Sequence, residues 1–121
     1  MPVASFTGYG KVHQYTTIQA GQNATVLRFN ISRNMIGFLT HVGNNYWNNT
    51  YYRWVIDGEV IEEKVERMIG SPQNLHKFNP PYVAKSYIEF RGFNNDNVER
   101  EFEVIIQGEL HDRKPSFEVL Q

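Results

Sequence analysis

The 121-residue sequence contains no cysteine, which excludes disulfide bonds and thiolate metal sites. It also lacks an apolar run near the roughly 18 residues that span a bilayer, and its first ten residues do not have the basic start and apolar centre of a signal peptide. Neither sign of charge dominates, because 12 Lys and Arg stand against 13 Asp and Glu. We therefore expect neither a membrane nor nucleic acid among its partners.

Patterns typical of metal sites and catalytic groups are also missing. The four histidines occur in separate segments without the close pairing that places two ligands on one face, so we expect no metal and no cofactor; they are His13, His41, His76 and His111. Glu101 and Glu103 could form a carboxylate pair for glycoside hydrolysis. A charged strand face that prevents edge-to-edge pairing explains the same pattern, and we predict a protein that is not an enzyme.

What the chain does have is a period-2 alternation of apolar and polar residues, which predicts β-strands. Strands are expected at 11–18, 24–31, 35–42, 50–56, 59–61, 83–90 and 101–110, with 24–31 pairing back on 11–18 and 35–42 central in the core. Asp57-Gly58 predicts a two-residue hairpin. Residues 62–69 have either one or two helical turns or a charged edge strand, and residues 70–82 are expected to form a long surface excursion.

Many short strands with Gly- and Asn-rich turns favour an all-β fold: an antiparallel β-sandwich, jelly-roll-like, with at most one short helix. A closed or partly open barrel is the alternative. We expect a single domain over residues 1–121, with an N-terminal arm at 1–10 and a C-terminal arm at 111–121. Apolar residues such as Phe117 indicate that the C-terminal arm docks on its own domain or on a neighbour.

The aromatic and asparagine-rich stretch from Gly43 to Gly58 is the most distinctive segment. Alternation places Trp54 on the core side of a strand, whereas the preceding loop, Asn44 to Asn49, is a candidate contact surface. Its residues Tyr46, Trp47 and Asn48 could contact a protein partner. They could also present a stacking surface for a sugar ring, as in carbohydrate-binding modules.

The proline-bearing segment 71–82 allows two interpretations. Pro80 and Pro81 could simply set the entry of the next strand. Alternatively Leu75, Phe78 and Tyr82 serve as apolar anchors for a neighbouring subunit, which we favour because a small sandwich has little core left for them.

The layout of the chain resembles small β-rich virion accessory proteins of tailed bacteriophages, of the capsid-decoration or tail type. The resemblance extends from Ala24 to Leu110 and lies in three features: Trp54-Val55-Ile56-Asp57-Gly58-Glu59, a loop ending in Asn79-Pro80-Pro81, and a final strand ending in Gln107-Gly108-Glu109. It implies homo-oligomers, with trimers favoured, that bind capsid or tail subunits through loops and terminal arms. It also implies a location in the virion, and in the host cytoplasm during assembly.

Overall fold

A computed structural model describes residues 3–5 and 10–113, and this part of the chain consists of strands and connections without a helix, so none is present that could cross a membrane. The strands are β1 Val3–Ser5, β2 Lys11–Ile18, β3 Asn23–Asn30, β4 Met35–Asn44, β5 Thr50–Ile56, β6 Glu59–Val65, β7 His76–Ala84, β8 Tyr87–Asn94 and β9 Arg100–Asp112.

The strands form two antiparallel sheets. Sheet A has the order β2-β9-β4-β7, with β1 pairing on the same edge of the long strand β9 as β2 does, and sheet B has the order β3-β8-β5-β6. From β2 to β9, each connection joins a strand of one sheet to a strand of the other. The single exception is the β5–β6 hairpin, which lies within sheet B. This is the connectivity of a jelly roll, and it confirms the predicted sandwich.

Apolar side chains from the inner faces of both sheets form the core. Phe102, Val104 and Ile106 of β9 are fully buried at alternate positions, as predicted, and Trp54 of β5 is 2% exposed. Trp54 stacks on Phe90 of the neighbouring strand β8, with ring centroids 5.3 Å apart. The alternation of the sequence therefore specifies which face of each sheet is buried.

The first two predicted strands do not pair with each other. β2 pairs with β9, and β3 pairs with β8 in the opposite sheet. The turn at 19–22, with Gly21 at φ 76°, crosses between the sheets. β3 also contains a bulge after Thr25, so that the adjacent residues Val26 and Leu27 are both buried and Thr25 faces outward, where its hydroxyl bonds Glu89.

Residues 59–65 form strand β6 at the edge of sheet B, so the helical interpretation of residues 62–69 is wrong. The charged edge strand is confirmed for residues 62–65, whereas 66–69 belong to the connection that follows. The exposed edge carries Glu63, which pairs with Arg53 of β5 across 2.6 Å. Charge on an edge strand disfavours pairing with another chain.

The predicted surface excursion at 70–82 is also wrong in its second half, because β7 begins at His76. Its residues 78–81 bulge opposite the single residue Thr40, with a cis peptide bond between Asn79 and Pro80. Prolines fit here because β7 is the edge strand of sheet A and bulged residues need no ladder hydrogen bond. A turn at Lys85-Ser86 then separates β7 from β8, dividing the strand that was predicted at 83–90.

The predicted arms are described only in part. Within the N-terminal arm, residues 3–5 pair with residues 109–111 of β9, and within the C-terminal arm, residues 111–112 continue β9 itself. Phe117 lies outside the described residues.

Candidate functional site

Four of the connections between consecutive strands lie at one end of the sandwich, which we call the loop end: residues 19–22, 45–49, 66–75 and 95–99. The register brings them together, because Ile18 at the end of β2 pairs with Arg100 at the start of β9, and Asn94 at the end of β8 pairs with Thr50 at the start of β5. Loops held by a rigid scaffold are where binding residues concentrate.

Asn44 fastens the β4–β5 connection to the β6–β7 connection. Its side chain is buried, and Nδ2 donates to the carbonyl oxygens of Asn45 at 2.9 Å and Arg67 at 3.0 Å. Its Oδ1 accepts from the backbone N–H of Ile69 at 2.8 Å. Asparagine was predicted here as part of a contact surface; the structure instead uses its amide inside the protein.

Asn94 has the same role between the other two connections. It is fully buried, and Nδ2 donates to the carbonyls of Ile18 at 2.8 Å and Val98 at 3.0 Å, while Oδ1 accepts from the N–H of Asp96 at 2.9 Å. Two backbone hydrogen bonds, Gly21 N–H to Asn94 O and Asn94 N–H to Gln22 O, join it to the β2–β3 turn. The loop end is therefore cross-linked by buried amides.

Asn45 is likewise occupied internally, which is a second correction to the predicted surface at 44–49. Its Nδ2 donates to Glu101 O at 2.7 Å, and its Oδ1 accepts from the hydroxyl of Tyr52 at 2.6 Å. Burial raises the pKa of Tyr52 far above its ordinary value, so the phenol remains protonated as this bond requires. Of the stretch from Asn44 to Asn49, only 46–49 remain available for contact, with Tyr46 half-buried and Asn48 exposed.

Trp47 is held in one orientation although 39% of it is exposed. Its indole Nε1 donates to Glu101 O at 2.8 Å, and the guanidinium of Arg100 lies over the ring, 4.6 Å from the centroid. Arg100 is itself bound to Asp96 at 2.9 Å. A fixed aromatic side chain loses little entropy when it is covered, which suits it to a contact surface.

Two further exposed apolar residues of the loop end were missed in the sequence. Met68 is 52% exposed in the β6–β7 connection, and Val98 is 47% exposed in the β8–β9 connection. Met68 lies within the range 62–69, where neither of the two expected elements, helical turns or an edge strand, forms beyond Val65. Val98 lies between polar residues in the sequence. Met68 and Val98 become candidates for a contact surface only because the fold brings their two connections to the same end of the sandwich.

Phe78 and Tyr82 pack against the core instead of standing free in a loop. Their ring centroids lie 5.6 Å and 5.0 Å from that of Trp54, so the argument that the core has no room for them is wrong. On their solvent side, the bulge of β7 lines an open concavity of about 440 Å³ formed by residues 78–83. Their role as subunit anchors stays a prediction.

Leu75 covers the outer face of sheet A near the loop end. A Cβ at Gly43 would collide with its Cδ2 and would lie 2.7 Å from Ser71 O, so the 66–75 connection rests directly on β4. Glycine at position 43 permits this close approach. Leu75 itself is half-buried.

Several ionisable groups of the described residues form ion pairs, and no group of three or more potential metal ligands is found in this part of the chain. His13 Nε2 lies 2.7 Å from Glu103, one of the two glutamates that were weighed as a catalytic pair. Glu101 and Glu103 face outward on β9, because Phe102 between them is buried.

No protein-family model matches the chain, and a search of curated proteins found no significant match.

Proposed function

We propose that the chain is a non-enzymatic structural protein of a virion, which self-associates and binds capsid or tail subunits through its loops and terminal segments. The observation that carries this proposal is the rigid loop end. Three of the six exposed large apolar side chains in the described part of the chain belong to it: Trp47, Met68 and Val98. Apolar groups on preorganised loops gain contact area at low entropic cost.

The fold supports this function in a second way. On one side of the sandwich the edge strands are β6 in sheet B and β7 in sheet A. Strand β6 carries charged side chains, and strand β7 carries a bulge that contains two prolines. Both features disfavour growth by strand addition. Association through loops and arms is therefore favoured over association through these two edges.

Light scattering after size-exclusion chromatography of the full chain tests self-association. We expect an oligomer for the natural sequence and a shift towards monomer when Trp47, Met68 and Val98 are all replaced by serine. The matched control replaces the three exposed apolar residues of the strands, Tyr15, Val60 and Val83, and should leave the oligomer intact. A natural chain that is monomeric at about 1 mM contradicts self-association.

Co-purification with virus particles tests the larger claim. A tagged chain should co-sediment with particles from cultures that produce it, and the triple serine variant at the loop end should not. Recovery of both in the soluble fraction alone would contradict a virion location.

One observation favours a carbohydrate-binding module as the second candidate. Trp47 is both exposed and fixed, with Asn48 exposed beside it, and such an arrangement can stack on a sugar ring. Arg100 occupies one face of the indole, which leaves the other for a ligand. A glycan array on which Trp47→Ala loses binding, while the far-UV spectrum is unchanged, would favour this function.

A further inference from the structure

Four side chains form a row across the outer face of sheet A, away from the loop end. The register pairs Lys11 of β2 with Gln107 of β9, Gln107 with His41 of β4, and His41 with Lys77 of β7. Residues directly opposite each other in antiparallel strands point to the same face. Because Ile106 is buried, Gln107 and the row with it face outward.

The hydrogen bonds around His41 determine which ring nitrogen faces a ligand. Thr40 Oγ1 donates its only proton to Gln107 O at 3.0 Å, so it can only accept from His41 Nδ1–H at 2.8 Å. The neutral ring therefore carries its proton on Nδ1 and leaves Nε2 unprotonated. Protonation at Nε2 would add both a charge and a donor to the row.

The surroundings of His41 are cationic. Partial burial lowers the pKa of His41, and the positive charges of Lys77, His76 and Lys11 lower it further. Among the described residues of β9, the carboxylates on either side of this row lie in other rows: Glu103 binds His13, and Glu109 binds His111 at 3.0 Å. An anion above the row would meet positive charge and relieve the repulsion that holds His41 neutral.

We propose that the row Lys11, Gln107, His41 and Lys77 binds the carboxylate or sulfate groups of an acidic polysaccharide that crosses the strands. Lys11 and Lys77 belong to strands three spacings apart, or about 14 Å, so they fit a ligand with separated anionic groups. Between them the Gln107 amide supplies a donor and an acceptor, which matches sugar hydroxyls.

Other polyanions fit this face less well. A nucleic-acid duplex is wide enough to place phosphates over Glu103 and Glu109 as well. Single-stranded nucleic acid is held by aromatic side chains that stack on successive bases, and the row contains none. The ionised side chains of an acidic peptide only accept hydrogen bonds, so only its backbone N–H groups could donate to the amide oxygen of Gln107, whereas each sugar hydroxyl both donates and accepts.

Histidine NMR of the full chain at about pH 6 and pH 7.5 tests the proposal, with His41 assigned by comparison with His41→Gln. The probes are inorganic sulfate, a sulfated heparin-derived oligosaccharide, a polyuronate oligosaccharide, an oligoglutamate peptide and an oligothymidylate. We expect an acidic oligosaccharide to bind more tightly than sulfate alone, more tightly at the lower pH, and to raise the pKa of His41. In His41→Gln this pH dependence should be lost.

Lys77→Gln should weaken oligosaccharide binding about three- to fivefold, as expected for removal of one exposed charge. Lys85→Gln is the matched control, because Lys85 is an exposed lysine on the β7–β8 turn at the other end of the sandwich, and binding should be unchanged. Equal effects of the two substitutions would overturn the proposal. So would oligosaccharide binding no tighter than that of sulfate, tighter binding of the peptide or the oligothymidylate, or an unaltered His41 signal.

Discussion

Replacement of Asn44 by alanine tests the claim that buried amides make the loop end rigid. The side chain is 1% exposed and makes three hydrogen bonds, to two carbonyls and one backbone N–H. Each buried polar group left without a partner costs about 1–3 kcal/mol. Since the freed backbone groups lie in connections that can admit some water, we expect the free energy of unfolding to fall by about 3–4 kcal/mol.

Urea unfolding followed by tryptophan fluorescence and by far-UV circular dichroism measures this loss. Asn48→Ala is the matched control, because Asn48 lies in the same connection but is exposed, and its effect should remain within about 0.5 kcal/mol. Hydrogen exchange should show faster exchange at the Ile69 N–H in Asn44→Ala alone. A loss below about 1 kcal/mol, with unchanged exchange at Ile69, would contradict a bracing role for the buried Asn44 amide.

Three further predictions concern single residues. Asp57→Asn should lower the free energy of unfolding by about 1–3 kcal/mol, because the Asp57 carboxylate accepts three backbone N–H groups of residues 85–87 at 2.7–3.0 Å; Glu59→Gln, an exposed control next to the same turn, should change it little in urea unfolding. Gly43→Ala should cost about 1–3 kcal/mol in the same assay, since the new Cβ meets Leu75 and Ser71 O, and a wild-type midpoint would contradict the close packing of the 66–75 connection on β4. The backbone N–H of Asn97 and the guanidinium of Arg100 lower the pKa of Asp96, so its contribution to stability is present above its ordinary pKa of 3.8 and is lost as the pH falls below that value; the stability difference between the natural chain and Asp96→Asn should be largest near neutral pH and shrink under acid, and a difference independent of pH would count against it.

Strands with one buried face were predictable from the sequence because their alternation is a local property. The predicted range 11–18 coincides with β2, and Asp57-Gly58 forms its hairpin with φ of 54° and 83°, the left-handed pair that this turn requires. The partner of each strand was not predictable in this way. A short Gly-containing turn after β2 is compatible with a hairpin and with a crossing between sheets, and the long-range pairing of β2 with β9 decides between them.

The two wrong predictions, helical turns at 62–69 and a surface excursion at 70–82, have one physical origin. Edge strands of a sheet tolerate residues that a central strand does not. Residues 59–65 carry charge that would be unusual in a central strand, and β7 carries Pro80 and Pro81, which would break one. Both strands are edges of the jelly roll, where one row of backbone groups needs no partner. Strand propensity therefore fails to predict edge strands, because the charges and prolines that prevent further pairing also lower the propensity of the segment.

A bulge in β4 explains why the alternation of apolar and polar residues did not predict the row of Lys11, Gln107, His41 and Lys77 on sheet A. Strict alternation would place His41 on the same face as Leu39, which is fully buried. The register of β4 against both β9 and β7 shifts between Leu39 and His41, so His41 turns outward while Val42 replaces it in the core. The extra residue, Thr40, also orients the imidazole through its hydroxyl. One inserted residue thus brings a histidine between two lysines from other strands, and the sequence carries no local sign of that arrangement.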